Sequence, residues 1–335
     1  IKYSTKLVHK YVEQLFSLES VGCKDWLTNK VDRCVGGKVA KQQCVGELQL
    51  PLNNCGVMAL DFSTTHGVAT SIGHSSISAL IDPESGSKNS IAEALTNIIW
   101  APIENNLKGV SLSANWMWPC RNYGEDARLY KAVDSLSKFA IELGINIPTG
   151  KDSLSMNQKY EDIEVKSPGT VIISATAHCS DIYNIIEPPL KANKGSVFYI
   201  NLSSDDYKLG GSAFSQIIGN IGVDTPTIND SKYFLNVFDT IQKMIKKKLI
   251  ISGHDVGSGG LITTLMEMCF STNNIGAKID LTSLNEKDSV KLLFSENSGI
   301  VIQCKDKKSE KEIMDSGIRA HRIGEVINSN NLVIK

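Results

Sequence analysis

The stretch GHDVGSGGLITTLMEMCF, residues 253–270, constrains this chain more than any other, because Gly257, Gly259 and Gly260 run directly into an apolar-periodic helix. Glycine lets the backbone approach a neighbouring group closely, and a helix start presents free N–H groups and the positive end of a dipole. Such a turn can receive a phosphate, with Asp255 beside it to hold the Mg²⁺ that accompanies phosphates. Tight packing alone explains the same glycines, and spacing does not separate the two readings. His254, beside Asp255, is the one histidine whose neighbours suggest a function.

A strand–turn–helix unit needs a sheet to belong to. Runs rich in β-formers (GVMALDF near 56, VSLSA near 110, TVIISATAH near 170) alternate with helical patterns over 90–107 and 127–143, which predicts a mixed α/β (α+β) fold. In the second helix Leu129, Val133, Leu136, Ala140 and Leu143 form the expected core stripe, and Gly144 is placed to end it. At 335 residues the chain has length for two domains of about 150 residues each. The Pro-Pro and Lys/Gly-rich stretch around 187–195 is the expected boundary. That gives a connecting segment over 1–35, a first domain over 36–187 and a second over 188–335. The second restarts with SVFYINL, carries helical patterns near 212–219 and 231–248, and closes with the strands GIVIQC and NLVIK.

The formal net charge is −1, so no global field favours nucleic acid or an anionic membrane, and the expected partners are small molecules or protein. The eight cysteines form no CxxC pair and no tight Cys/His cluster, which signals neither zinc nor a disulfide framework and fits a reducing cytoplasm. No apolar run approaches the eighteen or so residues of a membrane span. The opening IKYSTKLVHKYVEQ lacks a signal-peptide core and a starting methionine, so a piece of a longer, soluble protein is expected.

Three further segments can carry chemistry. In SIAEALTNIIW, Ile91, Leu95, Ile98 and Pro102 make a buried stripe, while Glu93 and Asn97, one turn apart, can share a hard cation. Ser90 and Glu93 also fit a capping box, with Asn97 solvated. PTGKDSLSM contains Gly150-Lys151 but is not a P-loop, because Ile145 stands where that motif needs glycine and Asp152 where it needs Ser or Thr. What remains is a loop in which Lys151 can neutralise phosphate and Asp152 can position a cation, or the two can form an exposed ion pair. In NWMWPCRNYGEDARLY, Glu125 and Asp126 favour a helix start, Trp116 reads as core, and Trp118 as either core or the wall of a site.

Taken in order, VDRCVGGKVAKQQCVGELQLPLNN, SIGHSSISALIDP, AEALTNI, LSANWMWP, GEDARLY, PTGKDSLSM, SPGTVIISA and HDVGSGGL resemble the second half of the synthase region of large-type formylglycinamidine ribonucleotide synthases. The match runs from about Val31 to the end. The resemblance implies a two-domain unit similar to aminoimidazole ribonucleotide synthase, the second of a fused pair. It also implies the reaction: formylglycinamide ribonucleotide, glutamine-derived ammonia and ATP give the formylglycinamidine ribonucleotide, ADP, phosphate and glutamate, with ATP phosphorylating the substrate's amide oxygen. By the same resemblance the second unit holds an auxiliary magnesium nucleotide (ATP or ADP). Its metal ligands fall on Glu93, Asn97, Asp255 and Asn54, and its nucleotide contacts on Asn54, Cys55, Lys151, Asp152 and Gly257.

This chain departs from the family pattern at Asn54, where an aspartate is usual, and at Gly257, where a serine is usual. Losing a carboxylate lowers the charge available to a cation, so weak nucleotide retention is expected. The glutaminase and the first synthase unit lie outside these residues, so none of the eight cysteines is the glutaminase nucleophile, and the chain alone is expected to be catalytically silent. Self-association through an exposed apolar face is expected as well. Two other readings stand beside this one: a non-catalytic nucleotide-binding scaffold, and a small-molecule kinase of the same superfamily, such as selenophosphate synthase or thiamine-phosphate kinase.

Overall fold

The computed structural model describes residues 1–34 and 36–335; Val35, which closes the expected connecting segment, lies outside the described residues. The chain opens with α1 (Val8–Phe16) and a single turn, α2 (Asp25–Thr28). Next come β1 (Val39–Lys41), β2 (Gly56–Ala59), β3 (Gly67–His74), α3 (Ser76–Ile81), α4 (Pro83–Ile98), β4 (Val110–Met117), α5 (Glu125–Leu143) and β5 (Asn146–Ser153). A hairpin, β6 (Asn157–Tyr160) and β7 (Ile163–Lys166), precedes β8 (Thr170–Cys179). Six of these strands make one sheet in the order β1-β2-β3-β8-β4-β5, antiparallel except for β4 with β5. Strand alternation puts Ala69, Ser71, Ile173, Ala175 and Ala177 under the helices and leaves Thr70, Ile72, Ser174 and Thr176 exposed on the open face.

Helix α4 positions the site. Asp82 caps it by accepting from the N–H groups of Glu84 and Ser85, and Pro83 supplies the first helical φ. The helix therefore starts seven residues before Ser90, whose hydroxyl instead donates to Gly86 O; the capping box expected at Ser90 and Glu93 does not form. Small residues let α4 lie directly on β3: a Cβ on Gly73 would sit 2.2 Å from Ala94 N. In α5 the buried face runs through Ala132, Ser135, Leu136, Phe139, Ala140 and Leu143, and the expected core residue Val133 is 42% exposed. Trp118, not Trp116, is the fully buried tryptophan of its segment, with its indole N–H donating to Glu125. Lys151 and Asp152, expected in a loop, lie within β5.

The second domain contains β9 (Val197–Asn201), α6 (Ala213–Ile217), α7 (Ser231–Lys246), β10 (Ile250–Asp255), α8 (Gly260–Phe270) and β11 (Gly276–Ile279). It ends with α9 (Ser289–Phe294), β12 (Gly299–Cys304), α10 (Lys307–Met314), β13 (Ala320–Ile327) and β14 (Leu332–Ile334). Its sheet runs β10-β12-β9-β13-β11-β14. Helix α1 packs on this domain, where Tyr11 meets Phe214 edge-on at 5.1 Å and Leu15 is fully buried. Among the described residues no helix is long and apolar enough to cross a membrane.

The two domains share one core, which runs from α4 and α5 through Phe234, Phe238 and Ile241 of α7. Gln242 is the polar tie inside it: its amide donates to Ile99 O (2.6 Å) and Ala101 O (2.9 Å) and accepts from Ile103 N (2.8 Å). Replacing Gln242 by leucine strands three buried backbone groups of the other domain, at about 1–3 kcal/mol for each group left unmet. We expect Gln242→Leu to lose about 3 kcal/mol or more in urea unfolding, with the exposed β5 substitution Lys151→Ala unchanged as control.

Candidate functional site at the domain junction

The site forms where the end of β3, one side of α4 and the turn after β10 meet. Glu93 and Asn97 both lean on the β3 backbone: Glu93 Oε2 accepts from His74 N at 2.6 Å, and Asn97 Nδ2 donates to Ile72 O at 3.3 Å, which leaves the Asn97 oxygen free to face outward. Asp255 ends β10 and is buried, with its backbone carbonyl accepting from Thr264 of α8. A Cβ placed on Gly257 would lie 3.3 Å from Asp255 Oδ2 and 4.0 Å from Glu93 Oε1, so the carboxylates from the two domains converge on that glycine. Behind it, Gly259 and Gly260 have φ of +93° and +75°, and a Cβ on Gly260 would meet Leu293 O at 2.8 Å; side chains are excluded here by conformation and by space.

A third carboxylate, Glu296, accepts from Gly259 N and Ala213 N, both at 2.7 Å. With Gly260 N bonded to Gly257 O and Val256 N to Gly299 O, much of the turn's donor capacity is satisfied internally. At Gly259 the N–H that the turn could have offered a phosphate is thus taken by a carboxylate of the chain itself. Burial, reinforced by the charges of Asp255 and Glu296, pushes the Glu93 carboxyl up to about 8 against the His74 N–H that lowers it. Burial raises Glu296 to about 7 against its two N–H partners. Glu93, Glu296, His74, Gly257 and Ser258 line a cavity of about 220 Å³, and a second groove of about 750 Å³ is walled by Asn54, Cys55, Asn97, Arg33 and Thr176.

Asn54, just before β2, is held by donors and acceptors that fix its amide. The Trp100 indole N–H, which can only donate, stands 2.8 Å from one amide atom and so requires the oxygen there. The NH₂ group then donates to His254 Nδ1 (2.7 Å) and to Asp255 Oδ1 (3.0 Å), and His254 Nε2 faces Glu267 at 2.8 Å. Burial disfavours charge on this imidazole, and the Asn54 N–H pointing at Nδ1 acts in the same direction, against the pull of the neighbouring Asp255 and Glu267 carboxylates, which raises its pKa.

Glu93, Asp255 and the free oxygen of Asn97 suit a hard cation: two crowded carboxylates, one with a raised pKa, and a neutral oxygen one helical turn away. Asn54 as oriented does not, since it turns a donor toward Asp255. Among the described residues no three His, Cys, Asp or Glu side chains form a ready metal cluster. Cys55 is buried with its thiol pushed up to about 12 by burial, so it offers packing and not thiolate chemistry. Lys151 and Asp152 are exposed on the edge strand; Lys151 stands in ladder register with Asn115, Ile172 and His74, about 14 Å across the open face from β3. The structure therefore brings Asn54, Glu93, Asn97, Asp255 and Gly257 together and leaves Lys151 and Asp152 apart. Glu296, His74 and Trp100 join the site without having been anticipated.

Residues 23–178 match the FGAR-AT PurM_N-like domain, and residues 195–335 match the C-terminal domain of AIR synthase related proteins. The chain is 40% identical over 331 residues to a probable phosphoribosylformylglycinamidine synthase of Caenorhabditis elegans, covering 95% of this chain and 25% of that protein. It is 37% identical over 322 residues to the phosphoribosylformylglycinamidine synthase of Homo sapiens, covering 95% and 24%. The chain belongs to the phosphoribosylformylglycinamidine synthase family. It spans about a quarter of the length of these relatives. The same fold occurs in the solved structure of T. maritima PurL complexed with FGAR, with a TM-score of 0.69 at 13% identity over 97% of this chain and 50% of that one. It also occurs in the hydrogenase maturation protein HypE in complex with ATP, with a TM-score of 0.56 at 16% identity over 83% of each chain. The family's two-domain mixed α/β architecture is thus present here.

The raised Glu93 carboxyl makes a prediction for stability in EDTA. A carboxyl whose folded pKa lies above its unfolded value near 4.5 stabilises the fold below that pH and loses this contribution as pH rises to about 8. Unfolding free energy should therefore decline from pH 5 to 8, and Glu93→Gln should flatten the decline and be the more stable protein at pH 8. Parallel pH profiles for the two proteins would contradict this.

Proposed function

We propose that this chain is the second synthase unit of a phosphoribosylformylglycinamidine synthase, an ATP-dependent carbon–nitrogen ligase of purine biosynthesis. In the whole enzyme the γ-phosphoryl group of ATP passes to the substrate's amide oxygen and ADP leaves. Ammonia released from glutamine then attacks the amide carbon, and phosphate departs with the oxygen to give the amidine. The contribution of this chain is a nucleotide-binding cleft at its domain junction, completed in the whole enzyme by a first synthase unit and a glutaminase domain.

The observation that carries this reading is the convergence of Glu93 and Asp255, from different domains, beside a glycine turn where no side chain intrudes. A bound Mg²⁺ would neutralise nucleotide phosphates there. Glu93 and Asp255 would hold it, with the Asn97 oxygen alongside, while the Gly257 turn keeps the approach open and Glu296 keeps the turn rigid. Lys151, in line across the open face, would meet the far end of an extended ligand, with Asp152 beside it. The relatives' names and the T. maritima PurL structures complexed with ADP and with ATP support this assignment.

Association is part of the same reading. The open sheet face exposes Met58 and Ile72 among small polar residues, and it would pair with the first unit or with a second copy of this chain. Eight free cysteines fit a reducing cytoplasm. Calorimetric titration with Mg-ADP should give saturable binding to the parent chain, weakened at least about tenfold by Glu93→Ala and by Asp255→Ala, the loss of roughly 1.4 kcal/mol. Absence of binding by the parent, or equal binding by all three, would contradict a nucleotide site here.

A further inference from the structure

Four groups meet around Asn54: the Trp100 indole, His254, Asp255 and, one step further, Glu267. Asn54 and Asp255 are brought together from the start of β2 and the end of β10, so this contact also closes the junction between the domains. Its oxygen is committed to Trp100 and its two amide hydrogens to His254 and Asp255, which exhausts the donors of the group. Asp255, buried beside a second carboxylate and with His254 Nδ1 3.2 Å from its Oδ1, accepts at that oxygen from the neutral Asn54 N–H donor.

We propose that the Asn54 amide takes the place of a cation bridge, so that the junction is held closed in the absence of divalent metal. This deepens the nucleotide-site reading and rests on it for the site's purpose, but not for its geometry. A donor between two acceptors needs no metal. A carboxylate in the same place would set an acceptor against Asp255 at hydrogen-bond distance, a repulsion that a cation between them would relieve. The identity of residue 54 thus decides whether the cleft is preformed or is assembled by metal. In this chain it is preformed, and Mg²⁺ entering it finds Glu93, Asp255 and Asn97 without a fourth ligand.

The test uses Mg²⁺ alone, without nucleotide, and reads thermal unfolding of the parent, Asn54→Asp and Asn54→Asp/Asp255→Asn in EDTA and in excess MgCl₂. The parent should gain from Mg²⁺ only a small fraction of what Asn54→Asp gains. Asn54→Asp should unfold about 5 °C or more lower in EDTA and recover most of the loss with Mg²⁺. The double variant, which restores one amide facing one carboxylate, should again gain little from Mg²⁺ and regain stability. If Asn54→Asp fails to fold in EDTA, the yield of refolding with and without Mg²⁺ replaces its melting curve. An Asn54→Asp protein as stable as the parent in EDTA overturns the proposal, as does a parent that gains as much from Mg²⁺ as the variant, or a double variant no better than the single one. Failure of Mg-ADP to bind, by contrast, would overturn the nucleotide reading and leave this bridge standing.

Discussion

The junction depends on the packing of Trp100 against Gly253. The indole follows directly on α4 and is fully buried over β10, where a Cβ on Gly253 would fall 2.0 Å from the ring. Close contact of this kind is what brings a helix of one domain against a strand of the other, and it registers the side chains beyond. Glu93 comes to face Asp255 across Gly257, and the Trp100 N–H orients Asn54 toward Asp255 and His254. Dispersion and burial fix the frame, and the polar groups are then satisfied within it. Gln242 contributes from the other side of the same core, holding the segment that follows α4 by its backbone.

The electrostatics of the cleft follow from this frame. Three carboxylates, Glu93, Asp255 and Glu296, surround a turn whose conformation excludes side chains. Each is compensated differently: Glu93 by one backbone N–H, Glu296 by two, and Asp255 by an amide. Burial holds protons on Glu93 and Glu296 near neutral pH, and a cation that displaces them would meet carboxylates, an environment for a cation and for the phosphates that follow a cation. A bare anion would meet repulsion and a turn whose Gly259 donor is already engaged.

Much of the architecture was legible because periodicity and turn chemistry agree with the packing. Strands β2, β4, β8, β9, β12 and β14, the end of α5 at Gly144 (φ +70°) and the glycine turn before α8 are of this kind. The errors have physical causes. The helical pattern expected over 90–107 is instead α4 from Pro83 to Ile98: the Asp82 cap, with the close fit of small residues on Gly73, starts the helix earlier, and it ends before Pro102. Val133 fits the apolar period of α5, but the buried face is turned toward Ala132 and Ser135, where small side chains allow α4 to approach. Lys151 and Asp152 are polar because β5 is an edge strand with an open face, not because they sit in a turn. The resemblance to the family pointed to Glu93, Asn97 and Asp255, whereas Glu296 and Trp100 act across contacts that no local spacing encodes, the first reaching Gly259 from 37 residues away.

The central claim is that the domain junction, and no other surface of this chain, receives the nucleotide. Hydrogen exchange with and without Mg-ADP tests it most directly. Protection is expected together in the segment that follows β3, His74–Ser78, and in the turn Val256–Gly260, because a ligand between them would restrain both domains at once. Protection confined to one of these segments, or appearing only elsewhere, for instance over the lysine-lined groove between α7 and α10, would contradict the account.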